Sequence, residues 1–126
     1  MIDTPHYKEL KEKLERQTDE KGKIETLIEM GVELRAIDVD KAMEMADDII
    51  HRSKIVAYPR GLGRGLNLKG SCYWLKGEYD TGLVILKEAL ALAVRIKDQK
   101  LEARVLHNLG NIYRLSLIHI SEPTRP

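Results

Sequence analysis

An all-α fold is predicted by three features of this 126-residue chain. Apolar residues recur at three- and four-residue spacing, short polar turns separate those stretches, and no segment alternates with period two for long enough to form a core strand. Hydrophobic residues make up 43% of the chain but aromatics only 5%, with no Phe, so the core must be built from Leu, Ile, Ala and Met. Leu, Ala and Met are among the best helix formers. Charged residues, at 33%, suit exposed helix faces.

Six helices are expected. Thr4 is placed to cap the first, and Pro5 fits its first turn. Tyr7, Leu10 and Leu14 give it one narrow apolar stripe. The second runs from about 20 to 36 and carries Ile24, Leu27, Ile28, Gly31 and Leu34 on one face. Asp38 caps the third, whose inner side is Ala42, Met45, Ala46, Ile49 and Ile50. Ala57-Tyr58-Pro59-Arg60-Gly61 reads as a break. Gly61-Leu62-Gly63-Arg64-Gly65 reads as a flexible turn running into a tightly packed helix. That fourth helix sets Leu62, Leu66 and Tyr73 on a common face and ends at Gly77. Tyr79 or Asp80 opens the fifth, with Leu83, Leu86, Ala89, Leu90, Ala93 and Val94. After the polar turn Lys97-Asp98, the sixth carries Leu101, Val105, Leu106, Leu109, Ile112 and Tyr113. Amphipathic helices joined by such short turns pack antiparallel to their neighbours.

The chain also repeats. Arg64, Leu66, Gly70 and Tyr73 reappear as Arg104, Leu106, Gly110 and Tyr113 at a constant shift of 40. Gly31 and Leu34 lie about one more period upstream, with the shift one residue shorter. A glycine inside a helix costs about 1 kcal/mol relative to alanine and is tolerated where a neighbouring helix needs the room. The tyrosine three residues later fills the adjoining space. Each helix pair leaves apolar surface that the next pair covers.

On these residues the chain resembles the tetratricopeptide repeat (TPR) family over about residues 24–114. Leu66-Asn67-Leu68-Lys69-Gly70-Ser71-Cys72-Tyr73-Trp74-Leu75-Lys76-Gly77-Glu78-Tyr79 looks like the first helix and turn of such a repeat. Leu86-Lys87-Glu88-Ala89-Leu90 looks like the end of its second helix, and Leu106-His107-Asn108-Leu109-Gly110-Asn111-Ile112-Tyr113 matches the first helix again. Three features depart from the pattern. The period is 40 rather than about 34, Lys69 stands where the motif has Leu, and Gly82 stands where it has Ala. The stretch from Glu33-Leu34-Arg35-Ala36 to Met43-Glu44-Met45-Ala46 is similar to the opening repeat of bacterial signalling proteins. In those, an N-terminal repeat array precedes a cyclase, a histidine kinase or a phosphatase.

The resemblance implies antiparallel helix pairs stacked as a right-handed TPR-like solenoid that is truncated. Residues 1–19 would be an N-terminal capping helix, and 20–58, 59–98 and 99–114 the successive units, the last incomplete. It also implies a concave groove lined by the first helix of each unit. Carried over, the groove positions are Arg64, Asn67, Ser71 and Trp74 on the fourth helix and Arg104, His107, Asn111 and Arg114 on the sixth. Such a surface is polar and positively biased, with one aromatic, and suits extended or carboxylate-bearing peptides.

After Arg114 the style changes. Leu115-Ser116-Leu117-Ile118-His119-Ile120-Ser121-Glu122-Pro123-Thr124-Arg125-Pro126 is a β-like apolar run followed by a proline-rich end. All twelve residues resemble the translated read-through of a transposase-type sequencing adapter. Residues 115–126 are therefore expected to be a non-native tail, and the native protein is expected to continue past Arg114. The last helix would then lack its pair, leaving Leu106, Leu109 and Tyr113 uncovered and the fragment prone to low stability or self-association.

Several functions lack support in the sequence. With 21 Lys and Arg against 20 Asp and Glu, non-specific nucleic-acid binding has no strong electrostatic basis. No apolar run approaches the roughly 20 residues of a membrane helix, and residues 1–20 are too polar for a signal peptide. The lone Cys72 suits a reducing cytoplasm and burial as a small apolar residue. The glycines at 61–65 fail both nucleotide-loop spacings, since Leu66 and Ser71 stand where the next glycine or the lysine is needed. Asp38-Val39-Asp40 fails as a calcium loop at Met43. His6, His51 and His107 lie in separate units, without metal-ligand spacing.

No cofactor is expected, and nothing up to Arg114 assembles a nucleophile, a base and an orienting group. The expected function is a protein–protein or intramolecular interaction module, the sensory or regulatory region of a larger bacterial signalling protein. Its partner would be a protein or peptide segment, or its own missing downstream domain. Two alternatives stay open: a fragment of an enzyme whose catalytic domain is missing, and a purely structural helical scaffold.

Overall fold

The computed structural model describes residues 4–121, with side chains through 117. It contains α1 (Pro5–Arg16), α2 (Glu20–Arg35), α3 (Val39–Ile55), α4 (Pro59–Leu75), α5 (Tyr79–Arg95) and α6 (Gln99–Ser121). No strand occurs among the described residues, and no described helix is long and apolar enough to cross a membrane.

Local chemistry sets the helix ends. Thr4 Oγ1 accepts from the Tyr7 amide, and Pro5 occupies the first turn of α1. Asp19, Asp38 and Asp98 cap α2, α3 and α6, each accepting the amide three residues on. The C-termini of α3, α4 and α5 close in one way. The amides of Tyr58, Glu78 and Asp98 donate to the carbonyls of Ser53, Tyr73 and Ala93, the long bond of a Schellman turn.

Each helix packs on its chain neighbours, and α4 also touches α2 and α6. The three-residue connections make sequential helices antiparallel. Thus α2, α4 and α6 form one row, with α3 and α5 outside it. Two apolar clusters hold the rows together. One gathers Tyr7, Leu10, Ile24, Ile28, Ala46 and Ile49 with Leu68 and Cys72. The other gathers Leu86, Ala89, Ala93, Leu101, Val105, Leu109 and Ile112, with Leu66 and Trp74 against it.

Three expectations need correction. Gly61, Gly63 and Gly65 are not a flexible turn; they are buried inside α4. A Cβ at Gly61 would stand 2.4 Å from Ser53 Oγ, at Gly63 2.5 Å from Leu101, and at Gly65 2.8 Å from Ile50. Missing side chains there let α3 and α6 close on α4, which offsets their poor helix propensity. Secondly, α6 runs unbroken past Arg114, so 115–121 are helical rather than extended. Those residues hold neither Gly nor Pro before Pro123, so nothing local stops the helix. Residues 122–126 of the expected tail lie outside the described residues. Thirdly, Leu109 is not uncovered. It is 6% exposed and packs in the second cluster, whereas Leu106 and Tyr113 are about half exposed.

Candidate functional site

The row α2, α4, α6 carries an open cleft of about 450 Å3. From α2 come Ile28, Val32 and Arg35, from α4 Arg64, Asn67 and Leu68, and from α6 Ala103, Arg104, His107 and Asn108. Among the described residues, no Asp or Glu lines it. Its apolar part is aliphatic, with Val32 43% exposed, and its polar part is rich in hydrogen-bond donors.

The arginines differ in setting. Arg64 has a side chain only 14% exposed, and its nearest acidic oxygen, Glu25 Oε1, is 3.9 Å away. Burial, reinforced by nearby Arg104, pushes its guanidinium below the ordinary arginine value, while Glu25 opposes that shift. It remains a cation at neutral pH, with incomplete compensation. Arg104 is exposed. Arg35 donates to Ser71 Oγ at 2.9 Å, and Ser71 donates to the Leu68 carbonyl at 2.7 Å.

Beneath the cleft lies a buried amide pair. Asn108 Nδ2 donates to Asn67 Oδ1 at 2.8 Å, and Trp74 Nε1 reaches Asn108 Oδ1 at 3.4 Å. Neutral amides satisfy one another there at no cost in buried charge. The pair ties α4 to α6 at the cleft floor.

Of the eight sequence-predicted groove residues, Arg64, Asn67, Arg104 and His107 meet in the cleft. Ser71 is fully buried below it. Trp74 is half-buried against the second cluster rather than standing out as an exposed anchor. Asn111 and Arg114 lie further along α6, where Arg114 Nη2 donates to Asn111 Oδ1 at 3.2 Å. His6 and His51 stay apart, on α1 and α3.

Sequence reading missed Arg35, Ile28 and Val32 on α2 and Asn108 on α6. A signal for the first three was present. Moving positions 67, 71 and 74 back by the 39 residues that separate Gly31 from Gly70 gives Ile28, Val32 and Arg35. The same shift takes Arg64 to Glu25, the acid at 3.9 Å from it. Asn108 falls where the previous unit has the buried Leu68, so a polar residue at a core register marked it. Lys69 takes the register of the buried Met30 and Leu109 and escapes by reaching Asp47 Oδ1 at 2.8 Å.

Cys72 is fully buried, and burial pushes its thiol up to about 11, so it is a packing residue rather than a nucleophile. A scan of family models and a search of curated proteins return no match for this chain.

Proposed function

We propose that this chain is a tetratricopeptide-type interaction module. In this reading, α2–α3, α4–α5 and α6 are successive units of a right-handed solenoid, and the cleft is its concave binding groove. It takes an extended, carboxylate-bearing peptide from a partner protein or from elsewhere in a larger bacterial signalling protein. The module is cytoplasmic and regulatory, and it binds rather than catalyses.

One observation carries the reading. Arginines from three helices, Arg35, Arg64 and Arg104, converge on one cleft that has no acidic residue in its lining among the described residues. A guanidinium meets a carboxylate through paired, charge-assisted hydrogen bonds. The poorly compensated Arg64 gains most from an arriving anion. The Asn67 carbonyl oxygen is taken by Asn108, which turns the amide nitrogen to a peptide carbonyl. Val32, Ile28 and Leu68 supply an apolar floor for one aliphatic side chain.

Fluorescence anisotropy with a labelled extended peptide bearing several Glu residues tests this. Arg35→Ala and Arg104→Ala should each weaken binding about tenfold or more, and added salt should weaken it further. Trp74→Ala is a poor probe, because removing a half-buried ring disturbs the second cluster. Equal affinity for the Glu peptide and its all-Gln counterpart would contradict the proposal.

A further inference from the structure

The floor of the cleft holds two amides whose orientation one neighbouring side chain decides. Asn67 on α4 and Asn108 on α6 are buried and share one hydrogen bond, from Asn108 Nδ2 to Asn67 Oδ1 at 2.8 Å. Two facing amides can pair in either direction, since turning both over exchanges donor and acceptor with little change of shape. The direction decides what a ligand meets. One way, Asn67 presents its NH2 group to the cleft; the other way, it presents its carbonyl oxygen.

Trp74 breaks this tie. Its indole Nε1 donates to Asn108 Oδ1 at 3.4 Å, and an indole N–H is a donor only. Were Asn108 turned over, its NH2 group would face that N–H, donor against donor, and a buried unpaired donor is costly. Asn108 therefore keeps its oxygen toward Trp74 and its nitrogen toward Asn67, whose oxygen is thereby taken. Asn67 Nδ2 bonds to no group among the described residues and is not sealed from solvent, so it opens on the cleft. The Trp74 ring is held in turn by packing against the second apolar cluster.

We propose that Trp74 is a positioning residue of the cleft. Acting through Asn108, it holds Asn67 with its NH2 group outward, so the floor takes a hydrogen-bond acceptor and rejects a donor. Arg35, Arg64 and Arg104 are donors as well. The cleft thus selects carboxylates at its arginines and a backbone carbonyl at Asn67. This role rests on reading the cleft as a peptide groove.

Side-chain amide exchange by NMR, on the whole chain with and without the extended Glu peptide, tests it. In the free chain the Trp74 indole proton and the Asn108 NH2 protons should exchange slowly, and the Asn67 NH2 protons fast. Saturating peptide should slow the Asn67 protons; bound peptide that leaves them fast would overturn the proposal. Trp74→Phe keeps a ring and loses the donor, so the two asparagines should then exchange at similar rates before peptide is added. Peptide affinity should fall about twofold, as for a site competent half of the time, and the same change should have no effect in an Asn67→Ala background. A ring that served packing alone would weaken binding equally in both backgrounds and leave the exchange pattern intact, which would contradict a positioning role. So would slow Asn67 protons beside fast Asn108 protons in the free wild-type chain, a measurement that stands should Trp74→Phe fail to fold. If the free chain shows the expected pattern but no Glu peptide binds, the peptide-groove reading falls while the orienting role of Trp74 stands.

Discussion

Ala57, Gly77 and Lys97 make the same left-handed turn at the ends of α3, α4 and α5, with φ of 51°, 82° and 59°. Only Gly77 has the residue type that adopts this conformation without a Cβ clash, which costs other residues about 1–2 kcal/mol. Lys97→Gly and Ala57→Gly should therefore raise stability by about 1 kcal/mol each, read as higher urea midpoints; a fall in either midpoint would refute the turn assignment. The turn before Pro59 and the turn at 97–98 were legible from Pro59 and the polar pair, although the expected break at 57–61 ran too far, since α4 already begins at Pro59. The recurrence of the turn every 20 residues was not, because Ala and Lys do not announce a positive φ.

Tyr58 gives a residue-scale pH dependence. Its hydroxyl donates to Glu25 on α2, and burial, then that carboxylate, push the phenol up to about 12. The folded value lies above the ordinary tyrosine value of 10.0. The stabilisation is hence complete below about pH 10 and is lost as pH rises through about 12. Urea midpoints across that window should fall more steeply for the wild type than for Tyr58→Phe. Parallel curves would show that the contact contributes nothing.

At the scale of the helix, one glycine register has two fates. Gly70 lies under α5, whereas Gly110 faces open space. Gly70→Ala must displace Leu86 and should cost about 1–3 kcal/mol. Gly110→Ala only improves helix propensity and should gain up to about 1 kcal/mol. Thermal melts of the two variants should shift in opposite directions, and a common direction would sink the assignment of α6 as the uncovered counterpart of α4. Periodicity revealed all six helices, because each carries an apolar face at helical spacing. It failed at Gly61, Gly63 and Gly65, whose spacing of two scatters them around the axis toward different neighbours, so no single face marks them. It failed again at 115–121, where an apolar run too short to show its period was helical.

At the scale of the molecule, the cleft exists only because α2, α4 and α6 lie in a row. Four of the eight residues expected in a groove, Arg64, Asn67, Arg104 and His107, meet in the cleft, since they keep the 40-residue register. Ser71 and Trp74 share that register but turn inward, one onto the Leu68 carbonyl and the other toward Asn108. Helical spacing places a residue on a face but does not determine how closely the next helix covers that face. Arg35 entered from a unit whose register is one residue shorter. The charge balance of the whole chain, +1, concealed a local excess of positive charge in the cleft, because its compensating acids lie elsewhere on the surface.

This basic cleft is proposed as the binding groove of an interaction module. Its most direct test is a backbone amide NMR titration of the labelled chain with an extended Glu-containing peptide. Binding in the cleft should give saturable shifts centred on Arg35, Arg64, Asn67, Arg104 and His107, with α3 little affected. Saturating peptide that leaves those amides unmoved, or moves residues of α3 and α5 instead, would contradict it.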